Sequence, residues 1–189
     1  MHSSLEIFRH RQLSIPTQDD KLGAEIDVRD YNETLVISHG IPDEKSLSLE
    51  KFLKNVNPNT LLAINIKSSG IQQKLQNQLV KYRIENYFTF DWPIPDLLNA
   101  IKNNLRCAFR VSEYEKNIIP QCKWVWIDSF HSIWYDEEYL AGLKNMGLKL
   151  ALVSPELHNR TNELERIRTI IDKIDVDAIC TDLPEFWLK

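Results

Sequence analysis

The sequence predicts an α/β protein built as a small (β/α)8 TIM barrel with a β-hairpin return strand after the second strand. Three observations carry this expectation. Short runs rich in β-branched and aromatic residues alternate with longer amphipathic ones, the pattern of parallel strands joined by helical crossovers. Nine such short runs recur along the whole chain. One connection, residues 29–34, holds Asp, Asn and Glu and is too short for a parallel crossover, so the run that follows it must return antiparallel. Setting that return strand aside leaves eight strand–crossover units, the number that closes a barrel. A doubly wound open sheet is the alternative architecture.

The strand runs are residues 5–8, 24–28, 35–38, 61–67, 87–91, 107–111, 124–130, 148–153 and 178–181. Each is too short for a stable helix. Helical patterns lie between them. Residues 48–56 open on Ser-Leu-Glu, which favours a helix start, and residues 71–82 are apolar at 71, 75, 79 and 82. Residues 95–104 begin with a proline suited to a first turn. Residues 136–146 and 156–174 are the longest and most amphipathic patterns. The connections 12–22 and 112–123 are short for full helices, and 184–189 leaves room for only a stub after the last strand.

With 189 residues the chain is long enough for one domain with a substantial core, taken here as 1–189. Hydrophobic residues make up 43% and charged residues 26%, as in ordinary globular proteins. A net charge of −4 argues against nucleic acid as a partner. No apolar run is long enough to span a bilayer, so no integral membrane association is expected. Met1-His2-Ser3-Ser4 runs straight into a strand pattern without signal-peptide character. The three cysteines, Cys107, Cys122 and Cys180, have no metal-ligand spacing and read as reduced thiols of a cytoplasmic protein. No Gly-rich phosphate loop is present. The sequence sets no oligomeric state; Trp134-Tyr135 and Trp187 are candidates for an exposed contact.

The chemistry concentrates at strand ends, where barrels place their sites. The first strand ends at His10-Arg11. The second carries Glu25 and Asp27, two apart and therefore on one face. A hairpin turning near Asn32 brings His39 back beside them. The third parallel strand ends in Asn65-Ile66-Lys67, and the fourth at Asp91. Two carboxylates with a further amide or carboxylate oxygen suit Mg²⁺ or Ca²⁺. Arg11 and Lys67 suit phosphate oxygens. Two histidines can serve as nucleophile or base and as general acid. The same residues have a plainer reading, in which Glu25 and Asp27 end a salt-bridge network with Arg11, Arg29 and Lys67. A lone histidine at a strand end is usually structural, and it is the joint arrangement that favours a site. Trp124, Trp126, Phe88, Phe90 and Phe109 read as core, and 163–168 as a solvated helix face. Arg110, Asp128, Glu156, His158 and Asp182 also lie near strand ends, with binding and simple exposure both open.

These motifs resemble the glycerophosphodiester phosphodiesterase family, within the superfamily of phosphatidylinositol-phospholipase-C-like TIM-barrel phosphodiesterases. The resemblance rests on His10-Arg11, on residues 23–29 (Gly-Ala-Glu-Ile-Asp-Val-Arg) and on Val36-Ile37-Ser38-His39. It continues through Asn65-Ile66-Lys67 and the Thr181-Asp182 strand end. It implies that His10 and His39 are the catalytic pair and that Arg11 contacts phosphate. It further implies that Glu25 and Asp27 bind metal and that Lys67 stabilises transition-state charge.

Three departures stand out. The family has Asp after its second histidine, and here the residue is Gly40; His39-Gly40-Ile41-Pro42 is similar instead to the spider-venom sphingomyelinase D enzymes. Asn65 replaces the third acidic ligand, a loss of charge that Asp91 would have to restore. The insertion that often caps the family's site has little room in 41–59. The expectation is a metal-dependent hydrolase or lyase for a small or lipid-derived phosphodiester. The alternative is a non-catalytic barrel that binds a phosphate or sugar phosphate at a degenerate metal site.

Overall fold

A computed structural model describes residues 5–17 and 20–188. The N-terminal Met1–Ser4 segment, two positions of the 12–22 connection and Lys189 lie outside the described residues. Along the chain the strands are β1 (Glu6–Arg9), β2 (Gly23–Tyr31), β3 (Thr34–Ile37), β4 (Leu47–Ser48), β5 (Leu62–Ile66), β6 (Tyr87–Phe90), β7 (Ala108–Val111), β8 (Trp124–Ile127), β9 (Lys149–Val153) and β10 (Ala178–Thr181). The helices are α1 (Leu49–Asn55), α2 (Gln72–Lys81), α3 (Ile94–Lys102), α4 (Glu137–Asn145), α5 (Leu164–Lys173) and α6 (Pro184–Trp187). All nine expected strands are present. The two-residue β4, which pairs antiparallel with β3, is additional to them.

The chain divides into two compact units. One spans Arg9–Cys107 and carries the strand order β4-β3-β2-β5-β6. Strands β2, β5 and β6 run parallel, joined by crossovers through α1 and α2. β3 is the antiparallel return strand, with Val28 opposite Ile37 and Tyr31 opposite Thr34. Its turn places Asn32 and Glu33 at φ 44° and 63°, two successive left-handed residues, as the twist-matched two-residue hairpin requires. Helix α1 starts where the sequence suggests, because the Ser48 side chain accepts the Lys51 backbone N–H and satisfies an otherwise orphaned donor. It buries Leu49, Phe52 and Leu53. The 3.6-residue spacing of α2 buries Leu75 and Leu79.

The other unit takes the chain up to Phe8 and from Ala108 onward. Its strands are ordered β1-β10-β9-β8-β7, with β7 to β10 parallel. Trp124 and Trp126 are buried here, as Phe88 and Phe90 are in the first unit. Tyr135 and Trp187 are also buried, at 2% and 7% exposed, so neither offers the surface contact expected of it.

The long helix expected over 156–174 is broken. Two 3-10 turns, Pro155–His158 and Thr161–Glu163, precede α5. Asn159 takes a left-handed φ of 61°, which no helix accommodates. Arg160 is pulled toward Ser129, donating to its carbonyl at 2.7 Å and its Oγ at 2.8 Å. No helix occurs among the described residues of the 12–22 and 112–123 connections.

Candidate functional site

Every residue expected at the site lies in the Arg9–Cys107 unit. Glu25 and Asp27 share a face of β2 and are 2% and 1% exposed. Asn65 on β5 sits level with Asp27 in the parallel ladder. Lys67, just past β5, places Nζ 3.4 Å from Asp27 Oδ1 and 3.9 Å from Asp91 Oδ2. Asp91 follows β6 in a left-handed conformation, φ 62°. Glu25, Asp27, Asn65, Lys67 and Asp91 are thus gathered across three adjacent parallel strands.

Arg11 enters differently from expectation. Its backbone N–H, not its side chain, reaches Glu25, donating to Oε2 at 2.8 Å. A positive φ of 48° turns that N–H toward the carboxylate. The Arg11 side chain stays exposed, and so remains available to an anion. His10 is the half-buried residue before it. His39 lies on the return strand's exit. Ser38 N–H donates to Asp27 O at 2.9 Å, so the β2–β3 register carries position 39 level with Ile26. The His39 residue itself is exposed.

Electrostatics separate the two readings of the acids. In a neutralising network each buried carboxylate would have its own cation. Instead Lys67 serves Asp27 and Asp91 together. Arg29 goes to backbone carbonyls, donating from Nη2 to His39 O at 3.0 Å and from Nη1 to Lys67 O at 3.3 Å. Burial and the neighbouring Asp27 charge push the Glu25 carboxyl up to about 8, against the lowering effect of the Arg11 N–H, the Asn65 amide and Lys67. Both Asp27 carboxylate oxygens and Asn65 Oδ1 are buried without a hydrogen-bond partner.

Buried acceptors left unsatisfied are costly, and a hard cation would satisfy all three. The donor set of two carboxylates and an amide oxygen therefore fits Mg²⁺ or Ca²⁺. Among the described residues, however, no three His, Cys, Asp or Glu side chains are grouped for a metal. Asn65 Oδ1, level with Asp27, offers a third oxygen there without a charge. Gly40 has no steric justification, since a Cβ there would meet open space and its φ is not left-handed.

The polar residues near strand ends in the other unit are engaged with one another. His158 Nε2 and Asp128 Oδ1 are 2.8 Å apart, Arg110 pairs with Glu115, and Glu156 accepts from Ser154, Thr181 and the Asp182 N–H. Glu113, which the sequence did not single out, accepts the backbone N–H groups of Phe130, His131 and Ser132. Burial opposes its ionisation, but those donors win and hold it down to about 2. Nothing in its sequence context signals that role.

No family model matches the chain, and no curated protein matches it. Solved structures do. A glycerophosphodiester phosphodiesterase from Agrobacterium tumefaciens aligns over 97% of this chain and 98% of its own, with TM-score 0.68 at 12% identity. The Thermotoga maritima glycerophosphodiester phosphodiesterase aligns over 100% and 98%, with TM-score 0.69 at 15% identity. An Oleispira antarctica phosphodiesterase, solved in complex with the product sn-glycerol-3-phosphate, aligns over 95% and 94%, with TM-score 0.67 at 13% identity. The resemblance read from the first forty residues therefore extends to nearly the whole backbone, and the chain has the fold of the glycerophosphodiester phosphodiesterases, a (β/α)8 barrel with an antiparallel return strand after its second strand.

Proposed function

We propose that the protein cleaves a small or lipid-derived phosphodiester, most simply a glycerophosphodiester, with a divalent cation bound at Glu25 and Asp27. One observation carries the reading: two buried carboxylates share a face of β2, and Asp27 has no hydrogen-bond partner for either oxygen. Packing alone would not retain that arrangement. The product bound to the Oleispira antarctica phosphodiesterase supports the glycerol phosphate moiety.

Glu25, Asp27 and the Asn65 amide oxygen would hold Mg²⁺ or Ca²⁺; Asp91, expected as a further ligand, faces Lys67 and forms no three-acid group with Glu25 and Asp27 among the described residues. When bound, the ion supplies Lewis-acid polarisation of a non-bridging phosphate oxygen. Lys67 offsets the charge that builds on the phosphoryl oxygens in the transition state. The exposed Arg11 guanidinium captures the phosphate. Of His10 and His39, one takes the proton of the attacking water or substrate hydroxyl, and the other returns a proton to the departing alkoxide.

The test is turnover of glycerophosphocholine and of bis(p-nitrophenyl) phosphate with Mg²⁺ or Ca²⁺. Loss of one acid–base group should cost about 10²–10⁴ in kcat, so His39→Ala should fall by that factor. Its thermal midpoint should stay within about 2 °C of wild type, because an exposed side chain adds little stability. Undiminished turnover in His39→Ala would remove the histidine pair from the mechanism.

A second reading, a phosphate-binding barrel without catalysis, is favoured by Asn65, which leaves the site one carboxylate short of three. It requires that calorimetry detect inorganic phosphate binding, yet no saturable heat from either cation up to millimolar concentration and no turnover.

A further inference from the structure

Arg29 is the cation that the acids do not use. It lies on β2 two residues beyond Asp27 and four beyond Glu25, so strand periodicity puts all three side chains on one face. If charge neutralisation governed its placement, it would pair with a carboxylate. It forms no ion pair among the described residues. Its two terminal nitrogens diverge to carbonyls on either side of β2: His39 O, beyond the antiparallel β3, and Lys67 O, beyond the parallel β5. Nε is buried without a hydrogen-bond partner, so the fork is kept although it leaves one donor of its own unsatisfied.

We infer that Arg29 is a positioning residue that fixes, through one rigid guanidinium, the backbone of both the proton-transferring His39 and the charge-stabilising Lys67. The inference rests on the phosphodiesterase reading of those two residues. Its physical basis is the planar fork. Arginine presents several N–H donors in fixed directions, whereas lysine offers one point charge on a flexible stem. The two carbonyls belong to chain segments that β2 separates, and no other hydrogen bond among the described residues joins one segment to the other. Smaller ties flank the fork: Lys67 N–H donates to Val28 O at 3.0 Å, and Asp30 N–H to Ser68 Oγ at 3.2 Å. These hold the β5 exit to β2, whereas the His39 loop meets β2 through Arg29 and the Ser38 N–H and is closed on itself by Ser38 Oγ donating to Gly40 O at 3.2 Å. His39 is exposed and follows the end of its strand, so its carbonyl contact limits how far the imidazole can wander. Misplacing a catalytic group by about 1 Å can cost about 10² in rate.

Arg29→Met keeps the stem and removes both donors. Measured with bis(p-nitrophenyl) phosphate and Mg²⁺, it should lower kcat by about 10–100-fold and change KM by less than about threefold. Arg29→Lys should recover only part of the loss, because it can reach one carbonyl at a time. Adding guanidinium ion to Arg29→Ala should restore more activity than adding ammonium. Hydrogen exchange gives a readout independent of turnover: amides in 38–41 and 67–69 should exchange faster in Arg29→Met while the rest of the chain matches wild type. Unchanged kcat, or a loss confined to KM, overturns the proposal, as does unchanged protection in either segment. A wild type that cleaves no diester overturns the functional reading instead. Coupled loss of protection in both segments would then still show the fork as their anchor, without a catalytic purpose.

Discussion

Glu25 holds its proton where a free glutamate would have lost it. Its carboxyl sits at about 8 against an ordinary value of 4.5, because burial and Asp27 both disfavour a second charge. A raised value means that the folded chain binds a proton more tightly than the unfolded chain. The stabilisation is complete below pH 4.5 and is lost as pH rises through 8. Glu25→Gln mimics the protonated form at every pH. In EDTA its thermal midpoint should coincide with wild type near pH 5 and lie several degrees higher at pH 9, where about 2–4 °C corresponds to 1 kcal/mol in a chain of this size. The same variant should lose at least about 100-fold in metal-supported turnover, since an amide cannot supply the charge. Superimposable midpoint curves for the two proteins would mean that the carboxyl titrates normally. Diverging curves would show Glu25 to be a residue that costs the fold stability once ionised, a familiar arrangement at functional sites.

At the scale of elements, the β2–β3 hairpin does the positioning, and its turn is not built for economy. Glu33 adopts φ 63° with a side chain that disfavours it, although the favoured turn would carry glycine there. Glu33→Gly should relieve that strain. Net of glycine's greater unfolded-state freedom, a gain of about 0.5–1 kcal/mol is expected, read as a midpoint about 1–3 °C higher with kcat unaltered. A lower midpoint would show that the turn is held by its surroundings. This hairpin was legible in the sequence because a short connection admits only one topology, and the level of His39 followed from it. The shared face of Glu25 and Asp27 was legible for the same kind of reason, the two-residue period of a strand. Other features depend on quantities that no local pattern encodes. That Asn65 sits opposite Asp27 is set by the crossover joining β2 to β5. The Arg11 N–H on Glu25 depends on one left-handed residue. The break at Asn159 divides a run whose amphipathic pattern is genuine only over α5.

Across the whole molecule, the proposed function makes the site's proton and a cation competitors for one pair of carboxylates, which would couple global stability to both. A ligand that binds only the folded chain stabilises it by RT ln(1 + [L]/Kd), about 2.7 kcal/mol at a hundredfold excess over Kd. For 189 residues that is a rise of about 5–10 °C in the thermal midpoint. Below pH 8 a cation bound at Glu25 would have to displace the carboxyl proton, so part of its binding free energy would be spent on deprotonation. The difference in midpoint between Mg²⁺ and EDTA should therefore widen from pH 6 to pH 8 and level off above it. Glu25→Gln should show a small difference that does not vary with pH. Asn65→Asp restores an acidic oxygen opposite Asp27, so it should enlarge the difference at pH 9 while lowering the midpoint in EDTA, where the added charge meets no cation. A midpoint that ignores Mg²⁺ and Ca²⁺ at every pH would assign the buried carboxylates to the architecture of β2, and the phosphate chemistry would have to proceed without them.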